Sequence, residues 1–163
     1  MQWNNKFTYP KSTRSIVDGS RHYSVNAERL PSVTTILKAT ESEEKKASLQ
    51  AWKQRIGRKQ AQIITREASS RGSSMHEFLE KYLLGKLNLD LLGDNTREKM
   101  MADQIIENGI RDKLNEIWGC EATLYYPGKY AGAADCIGVY ENKETIIDFK
   151  QSNKPKKDEW IDD

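Results

Sequence analysis

The chain has 163 residues, of which 37% are hydrophobic and 31% charged, with a net charge of +2. That suits one globular domain or part of one, and the near-balanced charge does not by itself announce a nucleic-acid partner. No apolar run approaches the ~18 residues of a membrane span and no secretory segment follows Met1, so the expectation is an intracellular protein without a membrane partner. Cys120 and Cys136 make no disulfide framework and are read as reduced core thiols.

Residues 1–31 read as irregular or extended. Phe7–Pro10 and His22–Val25 are each short strand candidates, and Asp18-Gly19 is a turn signal. Ser32 is placed to cap a short helix carrying Val33, Ile36 and Leu37.

From Glu43 to about Ser69 the pattern is helical, with a break candidate at Gly57 and an apolar stripe through Leu49, Trp52, Ile56, Ile63 and Ile64. Between Lys45 and Arg71 there are eight cations and one acid, a local charge of +7 in a chain whose total is +2. Such a run is often only a solvated face. Its asymmetry here points to phosphate contact through Lys53, Arg55, Arg58, Lys59 and Arg71.

Gly72 and the serines beside it suggest a helix start or a tight junction, followed by a stripe of Met75, Phe78, Leu79, Tyr82 and Leu83. His76 borders that stripe, where a packed histidine is the ordinary occupant. Gly85 to Gly93 reads as a connection. Asp94-Asn95-Thr96 then caps a helix predicted to run through Ile105, Ile110 and Leu114 to Trp118, with Gly119 as its stop.

The last third reads as strands: Cys120–Tyr126, Tyr130–Tyr140 and Thr145–Lys150, with a turn candidate at Asn142-Lys143. If Tyr140 lies opposite Thr145, then Asp135 faces Lys150 and Ile137 faces Asp148, so Asp135, Asp148 and Lys150 share one face. Glu121 joins that face if the preceding loop is Pro127-Gly128-Lys129, and turns away if the loop is one residue shorter. Two acids and a lysine on a half-buried strand pair cost stability unless they do chemistry. Two carboxylates suit a hard cation such as Mg²⁺ or Mn²⁺, and a lysine beside them can steady an attacking water or developing phosphate charge. The plain alternative is a cross-strand Asp–Lys pair on a solvated face.

Several segments together resemble the PD-(D/E)XK nuclease superfamily, RecB-like branch. They are Pro31–Leu37, Trp52-Lys-Gln-Arg55, Arg71-Gly-x-x-x-His76-Glu-x-x-Glu80, Gly132-x-x-Asp135-Cys136, and Ile147-Asp-Phe-Lys150-x-Ser-x-Lys154-Pro155-Lys156. The resemblance implies an α/β (α+β) fold: a helical part with a basic face over 31–119, then a partial restriction-endonuclease-like core with an antiparallel hairpin over 120–150. It implies that His76, Asp135 and Asp148 are metal ligands for Mg²⁺ or Mn²⁺ and that Lys150 is the catalytic lysine. Lys154 and Lys156 join the nucleic-acid contacts. The implied function is a metal-dependent DNA exonuclease acting on single strands or ends, in a bacterial host or encoded by a phage. In that branch a helix with Gln-x-x-x-Tyr and a further strand follow the basic loop. This chain stops at Asp163 before them, so the expectation is a core incomplete at its C-terminal side, open to oligomer formation. Two other classes compete: a non-catalytic nucleic-acid-binding fragment, and a helix-rich interaction protein whose acids merely pair with lysine.

Overall fold

The computed structural model describes residues 1–86 and 96–152. It is an α+β fold with two sheets and four α-helices among the described residues. Lys154 and Lys156 lie outside them, as does most of the 85–93 connection.

The chain opens with the short strand β1 (Gln2–Trp3), then a three-stranded antiparallel sheet of β2 (Ser12–Val17), β3 (Ser20–Val25) and β4 (Glu28–Pro31). Both turns of that sheet are two-residue turns in the left-handed region: Asp18-Gly19, as predicted, and Asn26-Ala27. Phe7–Pro10, predicted as a strand, is not one. Its aromatic rings instead pack edge to face, Phe7 on Trp118 at 5.7 Å.

Helix α1 (Val33–Ala39) begins where Ser32 caps it, the serine hydroxyl accepting the Thr35 amide at 3.1 Å. Helix α2 (Glu43–Ile56) ends at Gly57, whose φ of 83° breaks the run as the glycine suggested. Helix α3 then runs unbroken from Arg58 to Leu83, 26 residues. The predicted junction at Gly72 is absent. A mid-helix glycine costs only about 1 kcal/mol against alanine, too little to stop a helix anchored by buried Met75, Leu79 and Leu83.

Helix α4 (Arg97–Ile105), capped by Thr96, closes in a π-helical turn, Ile106–Ile110, with the Arg111 amide on the Ile106 carbonyl. The predicted helix therefore ends early, and Leu114–Trp118 belongs to strand β5 (Leu114–Tyr126). The reason is legible afterwards. Register shifts at Leu114/Glu116 and Ile117/Gly119 insert extra residues, so buried Leu114 and Ile117 fall three apart and imitate a helical period. Gly138, opposite these irregularities, has no room for a side chain, since a Cβ would lie 2.0 Å from the Glu116 carbonyl oxygen.

The second sheet has the order β1-β5-β6-β7, with β6 (Tyr130–Tyr140) and β7 (Lys143–Ile147) antiparallel to their neighbours. The β6–β7 turn is Glu141-Asn142, both at positive φ, so Tyr140 lies opposite Lys143 rather than Thr145. The predicted register is thus off by two. An even shift leaves every paired side chain of β6 and β7 on its predicted face. The main core lies between this sheet and helices α3 and α4, with Met75, Leu79, Ile106, Ile117, Cys136 and Phe149 at its centre.

Candidate metal centre

Three elements meet at the C-terminal end of β7. Strand β7 stops at Ile147, opposite Cys136, so Asp148-Phe149-Lys150 is not the strand the alternation predicts. Side chains take over where the ladder ends. The Phe149 amide donates to Asp135 Oδ2 at 2.7 Å, and the Phe149 carbonyl sits 2.8 Å from His76 Nε2. Phe149 itself is buried in the main core and meets the His76 ring edge to face. Gln151 extends the fastening, its amide donating to the Ala68 carbonyl of α3.

That arrangement sets the histidine tautomer. A carbonyl can only accept, so Nε2 carries a hydrogen, and in the neutral imidazole Nδ1 then keeps its lone pair. Nδ1 faces Asp135 Oδ1 at 3.5 Å. An outer carbonyl that orients an imidazole in this way is the usual support of a metal-ligating histidine.

Glu121 completes the group. Tyr126 pairs with Tyr130 around the three-residue loop Pro127-Gly128-Lys129, the condition under which Glu121 was expected to join Asp135. One ligand atom each from His76, Glu121 and Asp135 lie within 4.8 Å of one another. Glu121 sits in mid-strand at φ 48°, a conformation that costs a non-glycine residue of order 1–3 kcal/mol.

The electrostatics agree with crowding of like charge. Burial raises the Asp135 carboxyl above its ordinary range, against the pull of the Phe149 amide and His76, with the Asp148 charge adding to the rise. Burial and then the Asp135 charge raise Glu121. Glu121 as a residue is exposed, yet burial is still the largest cause of the rise at its carboxyl.

Asp148 and Lys150 stand beside this group rather than within it. Both are more than half exposed, and Lys150 Nζ donates to Asp148 Oδ1 at 2.5 Å. The Asp148 and Lys150 charges both reach Asp135. One residue near the site was not assigned a role from sequence. Glu80, one helical turn after His76, adds negative charge at Glu121. The signal was the i, i+4 spacing from His76 within His76-Glu-x-x-Glu80.

The basic residues divide between two sides of the α2–α3 pair. Lys53, Arg58 and Arg66 line one groove, with Gln62, Ser69 and Ser73 along its α3 side. Arg55 lines the other side with Trp52 and Lys45. Lys59 is exposed and lines neither of these grooves, and Arg71 is half-buried, its Nε without a partner among the described residues. The α3 row of Ser69 and Ser73 continues at helical spacing to His76 and Glu80, so the first groove leads to within one turn of the candidate centre.

An imidazole and two carboxylates converging at a strand end, with a lysine alongside, define a candidate hard-cation centre of the kind used by metal-assisted hydrolases. The chain's likeness among known proteins is to nucleases. It is 30% identical over 132 residues to Mitochondrial genome maintenance exonuclease 1 of Mus musculus, 29% over 135 to that of Homo sapiens and 30% over 135 to that of Xenopus tropicalis. Each match takes in 78% of this chain but only 38%, 38% and 37% of the relative, so the chain spans about two fifths of their length. No family model matches it. Among the described residues no helix is long and apolar enough to cross a membrane.

Proposed function

We propose that this chain carries the catalytic centre of a divalent-metal-dependent DNA exonuclease of the PD-(D/E)XK, RecB-like type. The observation that carries the reading is the convergence of His76, Glu121 and Asp135 beside the Asp148-x-Lys150 segment. Carboxylate and imidazole together suit Mn²⁺ as well as Mg²⁺. The names of the relatives support phosphodiester hydrolysis as the reaction.

In this reading His76 Nδ1, Asp135 and Glu121 hold the ion, and Asp148 completes its shell from the exposed side. The bound ion would supply Lewis acidity, acidifying a water and neutralising charge on the phosphate. The chain's own residues do the rest. Asp135 keeps the Asp148-Phe149-Lys150 segment in place through the Phe149 amide. Lys150 holds its ammonium at the Asp148 carboxylate, from which it can orient the attacking water or meet the charge that develops on phosphate oxygen. The groove of Lys53, Arg58 and Arg66 leads the strand toward the centre; Lys154 and Lys156, outside the described residues, are proposed as nucleic-acid contacts by the resemblance alone.

The test is Mn²⁺ calorimetry together with cleavage of end-labelled single-stranded DNA. One tight Mn²⁺ site, lost in Asp135→Asn, with metal-dependent shortening of the strand, is the expected result. A protein that binds DNA but takes up no Mn²⁺ would be the non-catalytic module instead.

A further inference from the structure

The groove at Asp135, Asp148 and Lys150 does not stop at the carboxylates. It follows β6 beyond the point where β7 has ended and reaches Tyr126 and Tyr130, with Val33 and Leu37 of α1 and Ile146 of β7 in its walls. Tyr126 and Tyr130 flank the Pro127-Gly128-Lys129 loop as direct cross-strand partners, and their rings stack at 5.9 Å with an interplanar angle of 29°. They remain 57% and 42% exposed, and Leu37 and Ile146 are more than 60% exposed. Arg21 adds an exposed cation to the same groove.

We infer that the Tyr126–Tyr130 pair is a base-stacking subsite for single-stranded DNA, engaging a nucleobase away from the phosphate held at the candidate centre. This rests on the nuclease reading for its direction, but not for its chemistry. A paired aromatic surface left open to water offers a π-face that any base can cover, and base–aromatic stacking is sequence-tolerant. The occupant follows from continuity: the same groove carries the carboxylates and Lys150 at one end and the tyrosines further on. Asp135 and Tyr130 are five residues apart on β6, some 17 Å at strand rise. That span is about five nucleotides at stacked spacing, fewer if the strand is stretched. Arg21 supplies the same groove with a cation for a phosphate.

The experiment uses the whole chain without divalent ions, so that no cleavage intervenes. The probe is a ten-residue oligothymidylate carrying one 2-aminopurine, whose fluorescence is quenched on stacking, walked through each position. Maximal quenching at one position, and loss of it in Tyr126→Ala and Tyr130→Ala, is expected. Replacing that base by an abasic site should weaken binding to the parent about five- to hundredfold, and the alanine variants should not distinguish the two probes. Tyr→Phe at either position should restore both signals, which separates stacking from a folding defect. Alanine variants that still quench, or a parent indifferent to the abasic site, overturn the inference. So does a parent that dimerises through this groove and becomes monomeric in the alanine variants with DNA binding unchanged. Failure of the nuclease reading shows separately, as loss of Mn²⁺ uptake or cleavage with quenching intact.

Discussion

The Asp135 carboxylate accepts the Phe149 amide at 2.7 Å, in the place where a strand partner would otherwise be. A residue expected to hold a cation therefore also fastens the segment that carries Asp148 and Lys150. The two roles separate by chemistry. An asparagine oxygen can still accept the amide, but it lacks the charge that holds the ion.

Asp135→Asn should therefore keep the fold while losing Mn²⁺ affinity. Asp135→Ala should lose both, because it orphans a buried N–H at a cost of about 1–3 kcal/mol. Urea unfolding of the metal-free variants, with Mn²⁺ calorimetry alongside, checks this. Equal stability of the two variants would make the hydrogen bond incidental.

The raised carboxyls at Asp135 and Glu121 make a prediction about pH. Each holds its proton more tightly in the fold than in the unfolded chain. Their contribution is fully present below the ordinary carboxylate range near pH 4 and is lost as pH rises through the elevated folded values. The metal-free parent should lose melting temperature relative to Glu121→Gln as pH rises above the ordinary carboxylate range near pH 4, and Mn²⁺ should close that gap. A gap that does not change with pH would mean the acids are not crowded.

Lys150→Ala should abolish DNA cleavage yet leave Mn²⁺ affinity within a few fold, since an ammonium cannot ligate a cation. Removing it also takes the positive partner from Asp148. Parallel measurements of cleavage and Mn²⁺ binding decide the matter. Cleavage at the parental rate would leave Lys150 a surface ion-pair partner only.

Charge reversal at Lys53, Arg58 and Arg66, which share one groove, should flatten the salt dependence of single-stranded DNA binding. Each lost phosphate contact lowers the logarithmic slope by about 0.7. Arg55→Glu, on the other side of the helix pair, should change the slope less. Fluorescence anisotropy across a salt series gives both slopes. Indistinguishable slopes for the parent and the triple variant would reduce the groove to a solvated face.

Local signals in the sequence were sufficient where one residue decides the backbone. Ser32 caps α1, Gly57 separates α2 from α3, and Asp18-Gly19 turns β2 into β3, each through its own hydroxyl or its own tolerance of positive φ. Alternation also held within the paired part of β6 and β7, because an error of two in register cannot move a side chain across a sheet. What only tertiary structure decided depends on partners distant in the chain. Packing of Met75, Leu79 and Leu83 carries α3 straight through Gly72, and irregular pairing with β6 turns a helix-like spacing at Leu114 and Ile117 into strand. The termination of β7 at Ile147 is of the same kind. A hydrogen bond to Asp135, 14 residues back, and one with His76, 73 residues back, hold Phe149 where the ladder has ended, and local periodicity contains no record of either.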